Sequence, residues 1–68
     1  MAKLTLKGAR ANINLTQKEA AKRLGVSNAT LCNWEKGVSF PDVMQMEKIC
    51  ELYGVSYDNL NFLPINPI

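Results

Sequence analysis

A length of 68 residues, 47% of them apolar, and a net charge of +2 describe one small globular domain rather than a disordered chain. No stretch approaches the ~18–20 apolar residues of a membrane span. The first residues lack the basic-then-apolar pattern of a secretory leader, so a cytoplasmic protein is expected. With no histidine, the two thiols of Cys32 and Cys50 do not complete a structural zinc site, and both are expected to be reduced.

The charges are unevenly spread. Residues 1–36 carry seven Lys or Arg against two Glu, a net +5, whereas residues 37–68 carry one Lys against four acids, a net −3. A basic half and an acidic half suit a protein that turns one face to a polyanion.

In chain order the pattern predicts helices and no strand. A first helix over 6–12 starts after Thr5, a capping residue, and places Leu6, Ala9 and Ile13 on one face. Gly8 inside it weakens the helix by about 1 kcal/mol relative to Ala. Asn14 is expected to be its left-handed stop. Thr16-Gln17-Lys18-Glu19 reads as a capping box that opens a second helix with Ala20, Ala21 and Leu24 inward and Gly25 at its end.

Ser27 caps a third helix over 27–36, with Leu31 and Trp34 buried and Gly37 closing it. Phe40-Pro41 forms a loop. Asp42, with Gln45 at the reciprocal position, caps a fourth helix whose core stripe is Val43, Met46, Ile49, Cys50 and Tyr53. Gly54 ends it, and Ser56 caps a short fifth helix over 57–61. The domain is expected to span 1–68, with its core in 5–61 and an apolar, Pro-interrupted tail over 62–68.

The stretch from Thr16 to Glu35 is the informative one. A turn as short as Gly25-Val26-Ser27 makes the second and third helices cross steeply. Small Ala21 lets them approach, Gly25 supplies the unusual backbone angle, and Val26, Leu31 and Trp34 fill the corner. Asn28, Ala29, Cys32 and Asn33 are left facing outward. An Asn amide bonds adenine N6 and N7 together, and an Ala methyl touches a thymine methyl. Cys32 reads as half-buried filler, Met44 and Met46 as surface or filler, and Lys18, Lys22 and Arg23 as solvated charge.

These residues resemble the phage-repressor and Cro-type helix-turn-helix regulators. The resemblance runs over about 6–60. It is carried by Leu15-Thr16-Gln17-Lys18-Glu19-Ala20-Ala21-Lys22-Arg23-Leu24-Gly25-Val26-Ser27, by Leu31, by Trp34-Glu35-Lys36-Gly37, by Pro41, and by the segment from Leu52 to Leu60. It implies an all-α, compact five-helix, lambda-repressor-like domain with the helix-turn-helix at its second and third helices.

Site roles follow from the resemblance. Asn28, Ala29 and Asn33 fall on base-reading positions, and Gln17 on a phosphate-anchoring position that also reaches a base. Thr16, Ser27, Thr30, Lys36 and Ser39 fall to phosphates, with Lys7 beside them. Arg10 and Glu35 match a structural ion pair. The sequence departs from the family at Ala9, where a larger aliphatic is usual, and at Asn14, where Gly is frequent. Asn28 and Asn33 stand where Arg or Gln often occurs, and the shorter Asn leans towards adenine.

The expected partner is a double-stranded DNA operator. One such domain covers a half-site, so a homodimer is expected, with Leu60, Phe62, Leu63 and Ile65 at a two-fold interface unless the tail packs on its own domain. The alternative is a protein-interaction module, such as an antitoxin or anti-regulator that retains the fold. An enzyme is not expected: there is no histidine, no convergent carboxylate pair and no glycine-rich phosphate loop. No metal, cofactor, small-molecule ligand or membrane partner is expected either.

Overall fold

The computed structural model describes residues 4–61. In order these form β1 (Leu4–Thr5), α1 (Leu6–Asn12), α2 (Gln17–Leu24), α3 (Asn28–Lys36), α4 (Val43–Tyr53), a single 3-10 turn (Tyr57–Asn59) and β2 (Leu60–Asn61). Among the described residues no helix is long and apolar enough to cross a membrane.

Local chemistry starts each α-helix. The Thr5 hydroxyl accepts from the Gly8 amide at 2.9 Å, ahead of α1. Thr16 and Glu19 close a reciprocal box on α2: Glu19 N donates to Thr16 Oγ1 at 3.1 Å and Thr16 N donates to Glu19 Oε1 at 2.9 Å. Asp42 and Gln45 do the same on α4, at 2.8 Å in both directions. Each box satisfies amides that the first helical turn leaves without partners. Asn14, at φ 59°, takes the left-handed conformation that turns the chain from α1 into α2.

The core lies where the helices converge. Leu6 and Ala9 come from α1, Ala20, Ala21 and Leu24 from α2, Leu31 and Trp34 from α3, and Ile49 and Tyr53 from α4. The alanines matter because they are small: α2 packs on both α3 and α4, and Ala20 and Ala21 let it approach both.

Two expectations about the C-terminal part need correction. The fifth helix is absent, and four α-helices are present among the described residues. After the 3-10 turn Leu60 becomes extended (φ −99°, ψ 140°) and pairs in parallel with Leu4, as Asn61 does with Thr5. The cause is twofold. Ser56 makes no side-chain capping bond, and an extended Leu60 reaches the core, where it is 5% exposed.

The α4 stripe is also shorter than expected. Val43 is 75% exposed. It is the first residue of α4, a turn short of the core, while Met46 and Cys50 are half-buried and Ile49 and Tyr53 sit inside.

Candidate nucleic-acid interface

The corner between α2 and α3 is built by Gly25, whose φ of 76° is one that L side chains rarely adopt. Gly25 N donates to Lys22 O at 3.2 Å and Val26 N to Ala21 O at 3.0 Å, which closes α2. Two residues later Ser27 opens α3, its hydroxyl accepting from Thr30 N at 3.0 Å.

Across α3 the two faces differ. Leu31 and Trp34 are 0% and 3% exposed and pin the helix into the core. Asn28, Ala29 and Asn33 are exposed on the other side, and Lys36 with them. Cys32 and Thr30 are half-buried between the faces. Ser27 Oγ donates to Thr30 Oγ1 at 2.9 Å, so its hydrogen is engaged and the Thr30 hydroxyl keeps its own. Thr16 is exposed at the start of α2, and Ser39 is half-buried, its amide donating to Asn33 O at 3.4 Å.

An ion pair ties the site to the rest of the fold. Arg10 Nε donates to Glu35 Oε2 at 2.8 Å and Nη2 donates to Glu35 Oε1 at 3.2 Å. Arg10 Nη1 donates to Leu15 O at 2.9 Å, so one guanidinium joins α1, the α1–α2 connection and α3. The hydrogen bond to Glu35 raises the Arg10 pKa above its ordinary value against the opposing effect of burial. Gln17, the first residue of α2, adds a third contact, donating from Nε2 to Glu35 Oε1 at 3.1 Å.

Lys7, Arg10, Gln17, Cys32, Glu35 and Lys36 line one cleft of about 430 Å³. The cleft brings together three of the contact residues expected from the sequence (Lys7 of α1, Gln17 of α2 and Lys36 of α3) and both members of the ion pair. The sequence reading missed the Gln17–Glu35 bond, which spans 18 residues and follows from no local spacing.

A second, apolar cleft of about 520 Å³ was also missed. Pro41, Asp42, Val43, Met46, Glu47, Cys50 and Tyr57 line it. Its only sequence signal is the cluster of large apolar residues around Pro41, which the pattern alone reads as loop and core.

Leu60 does not fit the interface role expected of it. It is a core residue of its own domain, and 5% exposure leaves little of it for a partner. Phe62, Leu63 and Ile65 lie outside the described residues.

Comparison with known proteins agrees with this architecture. The helix-turn-helix family pattern matches residues 6–60. The chain is 44% identical over 55 residues to the HTH-type transcriptional regulator ImmR of Bacillus subtilis, covering 81% of this chain and 43% of ImmR. It is 42% identical over 55 residues to an uncharacterized HTH-type transcriptional regulator of Methanocaldococcus jannaschii, covering 81% of this chain and 83% of that protein. It is 34% identical over 47 residues to the HTH-type transcriptional activator BcrR of Enterococcus faecalis, covering 69% of this chain and 23% of BcrR. The chain thus spans under half of ImmR and about a quarter of BcrR, but most of the archaeal protein. It belongs to the helix-turn-helix family, within which its sequence resembles the phage-repressor and Cro-type members.

Proposed function

We propose that this chain is a sequence-specific DNA-binding transcriptional regulator that lays α3 in the major groove of an operator. The observation that carries this reading is the division of α3. Leu31 and Trp34 anchor it, and the short side chains Asn28, Ala29 and Asn33 stand exposed on its outer face. Asn28 and Asn33 read adenine edges, and Ala29 meets a thymine methyl. Lys7 and Lys36 neutralise phosphates beside the cleft. The Thr30 hydroxyl donates to another phosphate, with Thr16, Ser27 and Ser39 along the same backbone path.

Two copies bind as a homodimer on half-sites about one helical turn apart, joined through Phe62, Leu63 and Ile65, and act by occluding a promoter. The names of the relatives, regulators and an activator, support control of transcription.

A salt titration tests the reading. Affinity for a duplex obtained by binding-site selection is expected to exceed affinity for random duplex by about 10³-fold or more, with both falling steeply as salt rises. Equal affinity for the two duplexes at every salt concentration contradicts it.

The apolar cleft at α4 favours a second reading, a protein-interaction module in the manner of an antitoxin or anti-regulator. That reading expects a stable heterocomplex without a DNA footprint.

A further inference from the structure

Helix α4 carries more apolar surface than the core uses. Ile49 and Tyr53 face inward and are buried. Val43, Met46 and Cys50 stand at i, i+3 and i+7, a second stripe that lines the apolar cleft. Val43 is exposed, and Met46 and Cys50 are half-buried. Burial pushes the Cys50 thiol's pKa up, so its sulfur stays neutral at pH 7. Pro41, ahead of the helix, and Tyr57, beyond it, complete the apolar lining. At about 520 Å³ the cleft falls within the ~300–1,000 Å³ typical of small-molecule sites.

The charge of the cleft has one sign. Asp42 and Glu47 line it, and no Lys or Arg does. Lys48, the one base among residues 37–68, is not part of the lining. A helix N-terminus attracts anions, but here the protein's own groups already occupy it. Asp42 Oδ1 accepts from Gln45 N, and the Asp42 carbonyl from Met46 N, both at 2.8 Å. Capping engages Oδ1, and a carboxylate accepts at both oxygens, so Oδ2 stands ready for a ligand. Glu47 is exposed one turn further along α4. The Tyr57 ring adds an aromatic face, which also attracts positive charge.

We infer that this cleft binds lipophilic organic cations, the apolar body lying on Val43, Met46 and Cys50 and the positive charge held by Asp42 and Glu47. The inference goes beyond both readings of the function and rests on neither.

Nitrogen-15 NMR of the full chain, titrated with tetraphenylphosphonium and with tetraphenylborate, tests it. The two ions share a shape and differ in the sign of their charge. The protein's net charge of +2 by itself favours the borate, so a preference for the cation at this cleft is a local property. The phosphonium is expected to shift the Val43, Met46, Glu47 and Cys50 amide resonances saturably, and to bind there more tightly than the borate. Asp42→Asn keeps a capping residue and Glu47→Gln alters an exposed side chain, so both variants are expected to fold. Each should weaken the cation about two- to fivefold, the scale of one surface ion pair, without weakening the borate. No saturable shift at about 1 mM phosphonium overturns the proposal. So does a borate that binds the cleft as tightly, or a cation affinity that both variants leave unchanged. Binding that appears only in the Phe62→Ser, Leu63→Ser double variant gives the cleft to the chain's own tail. A dimer that excludes the cation and that Val43→Glu dissociates gives it to a second copy. Either result overturns the proposal.

Discussion

Tyr53 carries a phenol into the core, 3% exposed, and its hydroxyl has no hydrogen-bond partner among the described residues. Burial pushes its pKa from 10 up to about 12, with the Glu35 charge adding to the rise and the Arg10 charge opposing it. The neutral phenol's contribution to stability is therefore complete below pH ~10 and is lost as the pH climbs towards 12. Tyr53→Phe removes the titrating group and leaves no polar partner stranded. It is expected to be neutral or stabilising by up to about 1 kcal/mol at pH 7, and to abolish this component of alkaline unfolding. Urea denaturation from pH 7 to 12 checks both outcomes. Gly8 gives a second case. A Cβ there would lie 3.2 Å from the Thr5 hydroxyl that caps α1, so Gly8→Ala is expected to gain less than the ~1 kcal/mol that helix propensity alone suggests.

At the scale of elements the decisive features are the α2–α3 corner and the ion pair behind it. Gly25 has open space around its missing Cβ, so Gly25→Ala is opposed by backbone strain alone. The expected cost is about 1–2 kcal/mol, read from the urea midpoint. Arg10→Met leaves Glu35 largely buried without its counter-charge and is expected to cost about 3–5 kcal/mol. In a domain of 68 residues that is a large part of the total stability, and it shows as a collapse of the thermal midpoint. The helix starts were legible because capping is local: Thr5, Thr16, Ser27 and Asp42 each bond an amide three residues on. The strand pair was not legible. Two residues at each end are too short for an alternation to register, and their pairing joins Leu4 to Leu60 across the whole domain.

For the whole molecule, charged residues of the basic first half and of the acidic second half line two different clefts. Lys7 and Lys36 meet on the cleft beside α3, while Asp42 and Glu47 rim the apolar cleft at α4. The outward residues of α3 were readable from helical periodicity, because the inward ones are large and apolar. The arrangement of Gln17 on Glu35 was not, because it depends on where three helices meet. Lys36→Ala, which on the proposed DNA-binding reading removes a phosphate contact, should weaken binding to selected and random duplex alike and lower the salt slope by about one. Asn33→Ala, which on the proposed DNA-binding reading removes a base contact, is the most direct test that α3 reads sequence. Measured on selected and random duplexes at one salt concentration, it is expected to lose about 1–3 kcal/mol of binding on the selected duplex and nothing on the random one. An equal loss on both, or no loss on either, would contradict the reading of DNA sequence by the outer face of α3.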